Sequence, residues 1–220
     1  MKLKVWDAPT RVCHLLFLVL LGVLWWTAQN RLIDWHIRVG YMLLAVLIFR
    51  LYWGFVGSST ARFAAFLRGP RDLLTYARTQ LRVGTPYLEI GHNPIGGWSV
   101  LILLVLMLAE VLLGLFSVDI DGLYSGPLSS LVSFDIGRRC ARLHHVVFDI
   151  LVTFVCLHVA AVLVYLFYKR QNLITPMITG SVVLCADSID HVQKPSFASV
   201  SRAIIGVVLS GVIAWVITLC

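Results

Sequence analysis

Five long apolar runs constrain the fold of this chain more than any other feature of its sequence. They cover about residues 12–28, 37–56, 95–118, 143–168 and 203–219. A helix needs about 20 mainly apolar residues to cross the hydrocarbon core of a bilayer. The runs therefore predict an all-α integral membrane protein, with a four-helix transmembrane bundle and a C-terminal fifth transmembrane helix.

The composition agrees with a membrane protein and excludes several other classes. Of the 220 residues, 59% are hydrophobic and 13% are charged, whereas soluble domains are about half apolar and about one quarter charged. Disorder, a coiled coil and most nucleic-acid-binding modules are excluded, so we expect no nucleic-acid partner. The five cysteines form no CxxCH motif, which excludes covalent attachment of c-type haem.

The lysines and arginines predict the orientation of the bundle. If the N-terminus is cytoplasmic, 13 of these residues lie inside and five lie outside, which is the bias expected of cytoplasmic loops. The net charge of +7 is then a consequence of topology. The first run has no small-residue cleavage site at its end, so it is predicted to be a retained helix.

Residues 60–82 mix apolar side chains with five arginines. This pattern predicts an interfacial amphipathic helix that is broken at Gly69-Pro70. Anchoring to the membrane surface and docking of a partner both remain open for it.

Four histidines fall at matched depths in the predicted helices. His144 and His158 are 14 residues apart, so they share one helix face and lie about 21 Å apart along its axis. His14 belongs to the inner half of the first helix, and His36 belongs to the outer half of the second. The depths therefore pair His14 with His158 and His36 with His144. Zinc requires ligands that converge on one point, so two separate pairs favour two haems with two axial imidazoles each.

Each of four other residues near these histidines has two possible roles. Gly40, one turn after His36, lets a flat macrocycle approach the backbone, but it also suits close helix packing. Arginines near the outer pair (Arg38 and Arg142) and near the inner pair (Arg11) either contact haem propionates or set the topology.

The remaining ionisable residues are assigned no ligand role. His92 has no partner at its depth, so it is either structural or a proton relay. Glu110 and Asp149 are either neutral and hydrogen-bonded or serve proton transfer at a quinone pocket. His191 lies in a polar loop and has no expected chemical role.

Six segments resemble one known family. They are Trp6–His14 (WDAPTRVCH), Trp35–Tyr41 (WHIRVGY), Phe49–Phe55 (FRLYWGF), Gly91–Pro94 (GHNP), Arg142–His144 (RLH) and Leu157–Ala161 (LHVAA). Their order and spacing resemble the prokaryotic cytochrome b561 family, related to the b-type cytochrome subunits of nickel–iron hydrogenases, over about residues 5–180. The fifth helix lies outside the pattern, and His145 follows His144 where an acidic or polar residue is expected.

The resemblance implies a haem-binding bundle over residues 1–180. The apolar runs and the charge pattern predict a cytoplasmic loop and the last helix over residues 181–220. It implies two non-covalent b haems, with His14 and His158 on the inner iron and His36 and His144 on the outer iron. Members of the family pass electrons between the membrane quinone pool and a redox partner such as a cytochrome c, a dehydrogenase or a hydrogenase. We therefore expect a multi-pass di-haem cytochrome of the bacterial inner membrane.

Two alternatives remain open at this stage. One is a stand-alone oxidoreductase that passes electrons from a small molecule such as superoxide to quinone, using the basic outer surface formed by Arg138, Arg139 and Arg142. The other is a haem-free proton-coupled transporter whose histidines relay protons.

Overall fold

A computed structural model of the chain describes residues 2–80, 91–121, 123–183 and 194–219. In chain order its elements are β1 (Lys2–Lys4), α1 (Ala8–Gln29), α2 (Ile33–Val56), α3 (Phe63–Phe66), α4 (Pro70–Gln80), α5 (Pro94–Leu115), α6 (Phe134–Phe167), α7 (Ile174–Thr179), β2 (Ser181–Val183) and α8 (Val200–Ile217). A short 3-10 helix over Ser129–Leu131 lies between α5 and α6. Residues 81–82 of the predicted interfacial segment, and residues 184–193 of the predicted cytoplasmic loop with His191, lie outside the described residues.

Five of these helices are long and apolar enough to cross a membrane, namely α1, α2, α5, α6 and α8. They agree with the predicted all-α integral membrane fold. The segment between α2 and α5 is helical over α3 and α4, with an interruption between them at Leu67–Gly69. Its placement at the membrane interface stays a prediction.

Several helices extend beyond the apolar runs because their polar caps lie outside them. Helix α1 begins at Ala8, where Asp7 Oδ1 accepts a hydrogen bond of 2.8 Å from Thr10 N and a proline occupies the first turn. Helix α6 begins at Phe134, nine residues before the run that starts at residue 143. Its 34 residues span about 51 Å, which exceeds the hydrocarbon core of about 30 Å. The first turns of α6, which carry arginines, therefore extend beyond that core.

The spans run alternately up and down, and α2 is at their centre. Helices α1, α5 and α8 pack against α2, and α6 packs against α5. Leu43, Leu47 and Trp53 of α2 are at most 1% exposed, so one helix supplies much of the core. Helix α8 docks through a row of small residues, Gly206, Ser210 and Ala214, which allows close approach between helices in lipid.

Residues 2–7 and 178–183 pack together at the end of the bundle that carries the N-terminus, and we call this unit the clasp. Strand β1 pairs antiparallel with β2, with Leu3 opposite Val182. Gly180 has a φ of 84°, a left-handed conformation that favours glycine. Its carbonyl accepts hydrogen bonds from the backbone amides of Val5 and Trp6 at 2.8 and 3.1 Å. These three-residue strands were not predicted, because they are too short to show an alternating pattern.

Candidate functional site

Four imidazoles from three helices meet in two pairs at opposite ends of the bundle. At the clasped end, the ring centroids of His14 on α1 and His158 on α6 are 6.4 Å apart, with the rings tilted by 54°. At the other end, the centroids of His36 on α2 and His144 on α6 are 6.2 Å apart, with the rings at 84°. The structure thus brings together the same partners that the depths of the histidines pair.

The spacing within each pair fits one iron atom between two imidazoles. A metal–nitrogen bond of about 2.0–2.1 Å on each side, plus about 1.1 Å from each nitrogen to its ring centre, gives centroids about 6.3 Å apart. Both observed separations agree with this value. Imidazole nitrogen is also a donor that suits iron. Among the described residues, no group of three or more histidine, cysteine or acidic side chains is placed to hold a metal ion.

The histidines of the second pair are held by their Nδ1 atoms. His36 Nδ1 lies 3.0 Å from the carbonyl oxygen of Leu24 and 3.3 Å from Thr27 Oγ1. His144 Nδ1 lies 2.9 Å from the carbonyl oxygen of Glu110. Metal-binding histidines commonly donate one ring N–H to such an acceptor, which fixes the tautomer and leaves the other nitrogen for the metal. Here Nε2 is left for the metal in both rings.

The space around the pairs suits a flat group. Most of α6 is exposed along its length, and Gly137 and Leu151 are its buried residues. A Cβ added at Gly40 would meet no atom within 4 Å. The donor set, its spacing and this open space all fit a haem group at each pair.

The three arginines predicted near the haems lie in different surroundings. Arg11 is engaged in the clasp, where Nε donates to the Asp7 carbonyl oxygen at 3.3 Å and Nη1 donates to the Ile178 carbonyl oxygen. Arg38 is exposed and lies over the Trp35 ring at 5.6 Å. Arg142 is exposed on α6.

A buried polar group near the clasp was not predicted as a unit. Arg50 is 4% exposed, and its charge acts on the neighbouring His92. Trp53 Nε1 donates to Asp7 Oδ2 at 2.9 Å in a buried bond. The sequence signal was an arginine inside an apolar run, which is costly and therefore informative. The charge pattern counts Arg50 only as one of the 13 lysines and arginines on the cytoplasmic side.

His92 lies beside this group, between two aromatic rings. Its ring centroid is 4.6 Å from those of Trp6 and Phe66, and its Nδ1 is buried without a hydrogen-bond partner among the described residues. Burial, and next the positive charge of Arg50, lower the pKa of His92 from 6.5 to about 3. The side chain is therefore neutral at physiological pH.

The spans and the histidine pairs together define a helical membrane protein of the b-type cytochrome class. The family model described as prokaryotic cytochrome b561 matches residues 5–180, and the chain belongs to that family. It is therefore a multi-pass membrane cytochrome that binds haem b and transfers electrons. No curated protein and no solved structure shows significant similarity to the chain.

Proposed function

We propose that this chain carries electrons through the inner membrane over two b haems, between the quinone pool and a redox partner. His14 and His158 bind the inner iron, and His36 and His144 bind the outer iron. The observation that carries the proposal is the spacing of the two pairs, 6.4 and 6.2 Å between ring centroids, which is that of two imidazoles on one iron.

Each bound haem supplies one-electron chemistry, and the protein determines what that chemistry is used for. Each histidine pair would hold one haem iron with both imidazoles and leave no site there for oxygen or substrate, which favours electron transfer over catalysis at the iron. His144 and His158 are about 21 Å apart along α6, so the pairs lie in opposite halves of the bilayer and give a route across it.

Several residues are proposed to shape the haem sites without binding iron. The open space at Gly40 admits the macrocycle close to the backbone of α2. Arg38 and Arg142 are exposed on the side of the second pair, where a guanidinium can meet a propionate at the membrane surface. Arg11 already donates two hydrogen bonds to backbone carbonyls in the clasp, which makes it the weakest of the three propionate candidates.

The orientation follows from the basic residues. With the N-terminus in the cytoplasm, the clasp and the first pair face the cytoplasm and the second pair faces outward. Quinone or quinol is proposed to react at a haem edge near one face. A cytochrome c or an oxidoreductase subunit is proposed to exchange electrons at the other face.

Electron transfer in lipid vesicles tests this function. The purified chain is reconstituted with quinol in the bilayer, and haem reduction is followed in visible spectra before and after a soluble cytochrome c is added. We expect quinol to reduce the haems and the added cytochrome c to reoxidise them. Reduction of quinone by superoxide, with the isolated chain and no protein partner, would instead favour the stand-alone oxidoreductase. A purified chain that contains no haem would favour the haem-free proton-coupled transporter.

The stand-alone oxidoreductase would use the basic surface of Arg138, Arg139 and Arg142, but one of these guanidinium groups is already hydrogen-bonded within the protein. Arg138 Nη1 donates to the carbonyl oxygen of Val118 at 3.1 Å and so holds the loop that follows α5. Arg139 and Arg142 are exposed at the start of α6. The engagement of Arg138 therefore weakens the case for the stand-alone oxidoreductase, whereas the histidine pairs suit both functions.

A further inference from the structure

Glu110 is a buried acid in the apolar helix α5, and it meets one of the four histidines. The residue is 7% exposed, and its Oε1 lies 3.2 Å from His144 Nδ1. The backbone carbonyl of the same residue lies 2.9 Å from the same nitrogen. The backbone carbonyl of Glu110 thus meets the ring nitrogen at hydrogen-bond distance, and its carboxyl group lies beside the same atom.

The fit around His144 extends to the next turn of α5. A Cβ at Gly114 would lie 3.3 Å from His144 Cε1, so glycine at this position gives the imidazole room against the helix. Glu110 Oε2 is buried and has no hydrogen-bond partner among the described residues. An acid in a membrane helix is costly and usually serves a function, and this carboxyl group is directed at His144.

The two histidines of the second pair differ in the acceptors they meet. The described contacts of His36 Nδ1 are a backbone carbonyl and a threonine hydroxyl, both neutral. His144 meets a carboxyl group in addition to a carbonyl. When Nε2 binds iron, Nδ1 carries the proton, and an acidic side chain beside that N–H makes the imidazole a more basic ligand.

We propose that Glu110 is a positioning residue that acts through His144 to lower the reduction potential of the outer haem. A more basic imidazole stabilises ferric iron relative to ferrous iron. The contact with Glu110 therefore stabilises the oxidised state of this haem. This inference rests on the proposed function, since it requires His144 to bind iron.

A redox titration followed by visible spectra tests the proposal. Glu110→Gln keeps the size and the acceptor oxygen of the side chain and removes the carboxylate. At the potential where the outer haem of the parent protein is half reduced, we expect the ratio of reduced to oxidised outer haem to rise at least tenfold, which is about 59 mV for one electron. The midpoint of the inner haem should not move. His14→Ala in the background removes the inner haem and identifies the outer signal.

Asp135→Asn is the matched control, because Asp135 is an exposed acid in the first turn of α6, at the same end of the bundle. It should leave both midpoints unchanged. An unchanged outer midpoint in Glu110→Gln, or an equal shift of both haems, would overturn the proposal.

A second variant keeps the test decisive in the case that Glu110→Gln does not retain the outer haem. If Glu110→Gln cannot hold that haem, Glu110→Asp, which keeps a carboxylate, should retain it with a midpoint close to that of the parent. Loss from both variants would overturn the proposal, since Glu110 would then be needed for packing and not for the character of the ligand. Failure of the proposed function shows separately, because the unsubstituted protein would then not contain two haems.

Discussion

At the scale of single residues, the bond from Trp53 Nε1 to Asp7 Oδ2 offers a clear test of how the clasped end is held. Trp53→Phe keeps the aromatic ring and leaves a buried carboxylate oxygen without its donor, which costs about 1–3 kcal/mol. We expect a lower free energy of unfolding by that amount, measured in detergent.

Trp98→Phe is the control for that substitution. Trp98 Nε1 also donates to an acceptor, the Arg68 carbonyl oxygen at 3.0 Å, but at an exposed site. Its loss should cost less, because water can replace the donor. Equal costs at the two positions would show that burial of Asp7 does not matter.

His92 gives the stability of the protein a pH dependence with a definite sign. Its pKa is about 3 in the folded chain and 6.5 ordinarily, so below pH 6.5 the unfolded chain binds a proton that the folded chain does not. Stability is therefore lost as the pH falls from 6.5 toward 3, by about 2 kcal/mol at pH 5.

Comparison with His92→Gln isolates this contribution. Between pH 6.5 and 5, the free energy of unfolding of the parent should fall more steeply than that of the variant. Above pH 7.5 the two slopes should agree, because the histidine is then neutral in both states. Parallel slopes over the acidic range would contradict the buried neutral histidine.

The residue scale also shows what the sequence could predict about the site. Depth along a helix follows from residue number, so the pairing of His14 with His158 and of His36 with His144 could be predicted. Contacts between helices that depend on rotation about their axes could not, so the approach of Glu110 to His144 and of Arg50 to His92 was missed. Position beside His14 left Arg11 open between a propionate contact and a topology marker, and its described hydrogen bonds go to the carbonyl oxygens of Asp7 and Ile178.

At the scale of elements, the docking of α8 on α2 depends on Gly206. A Cβ there would lie 2.7 Å from the Tyr52 ring, so Gly206→Leu must separate the helices. Overpacking of this kind costs about 1–3 kcal/mol. We expect reduced thermal stability in detergent with unchanged haem spectra, because α8 packs on α2 and carries none of the four histidines.

Gly211→Leu is the matched control on the same helix. A Cβ at Gly211 meets no atom within 4 Å, and both substitutions gain the same helix propensity over glycine. The difference between the two variants therefore measures the contact alone. If both variants were equally stable, α8 would not be docked through Gly206.

Hydropathy predicted the existence of the spans better than their ends. Apolar runs identify what the bilayer must cover, and all five were found. Caps and polar first turns lie outside those runs, which is why α6 starts nine residues earlier than its run. The strands β1 and β2 depend on a pairing between residues about 180 positions apart, and neither strand has a pattern of its own.

At the scale of the whole molecule, the five candidate spans among the described residues predict that Lys2 and Leu219 lie on opposite sides of the membrane. With a cytoplasmic N-terminus, alkaline phosphatase fused after residue 219 should be active, because that enzyme requires the outer compartment. Fusion after Arg170, which follows α6, should be inactive. The reverse pattern would contradict the proposed orientation, and activity at both sites would contradict the fifth span.

The central claim is that four histidines bind two haems, two by two, and haem quantification tests it most directly. The unsubstituted protein should contain two haem b per chain, and each alanine variant of His14, His36, His144 and His158 should contain one. The His14 and His158 variants should lose the same haem, seen as the same missing component in reduced-minus-oxidised spectra, and the other two should lose its counterpart. His145→Ala, the exposed neighbour of His144, should keep both. Two haems retained in any one of the four variants would contradict the account.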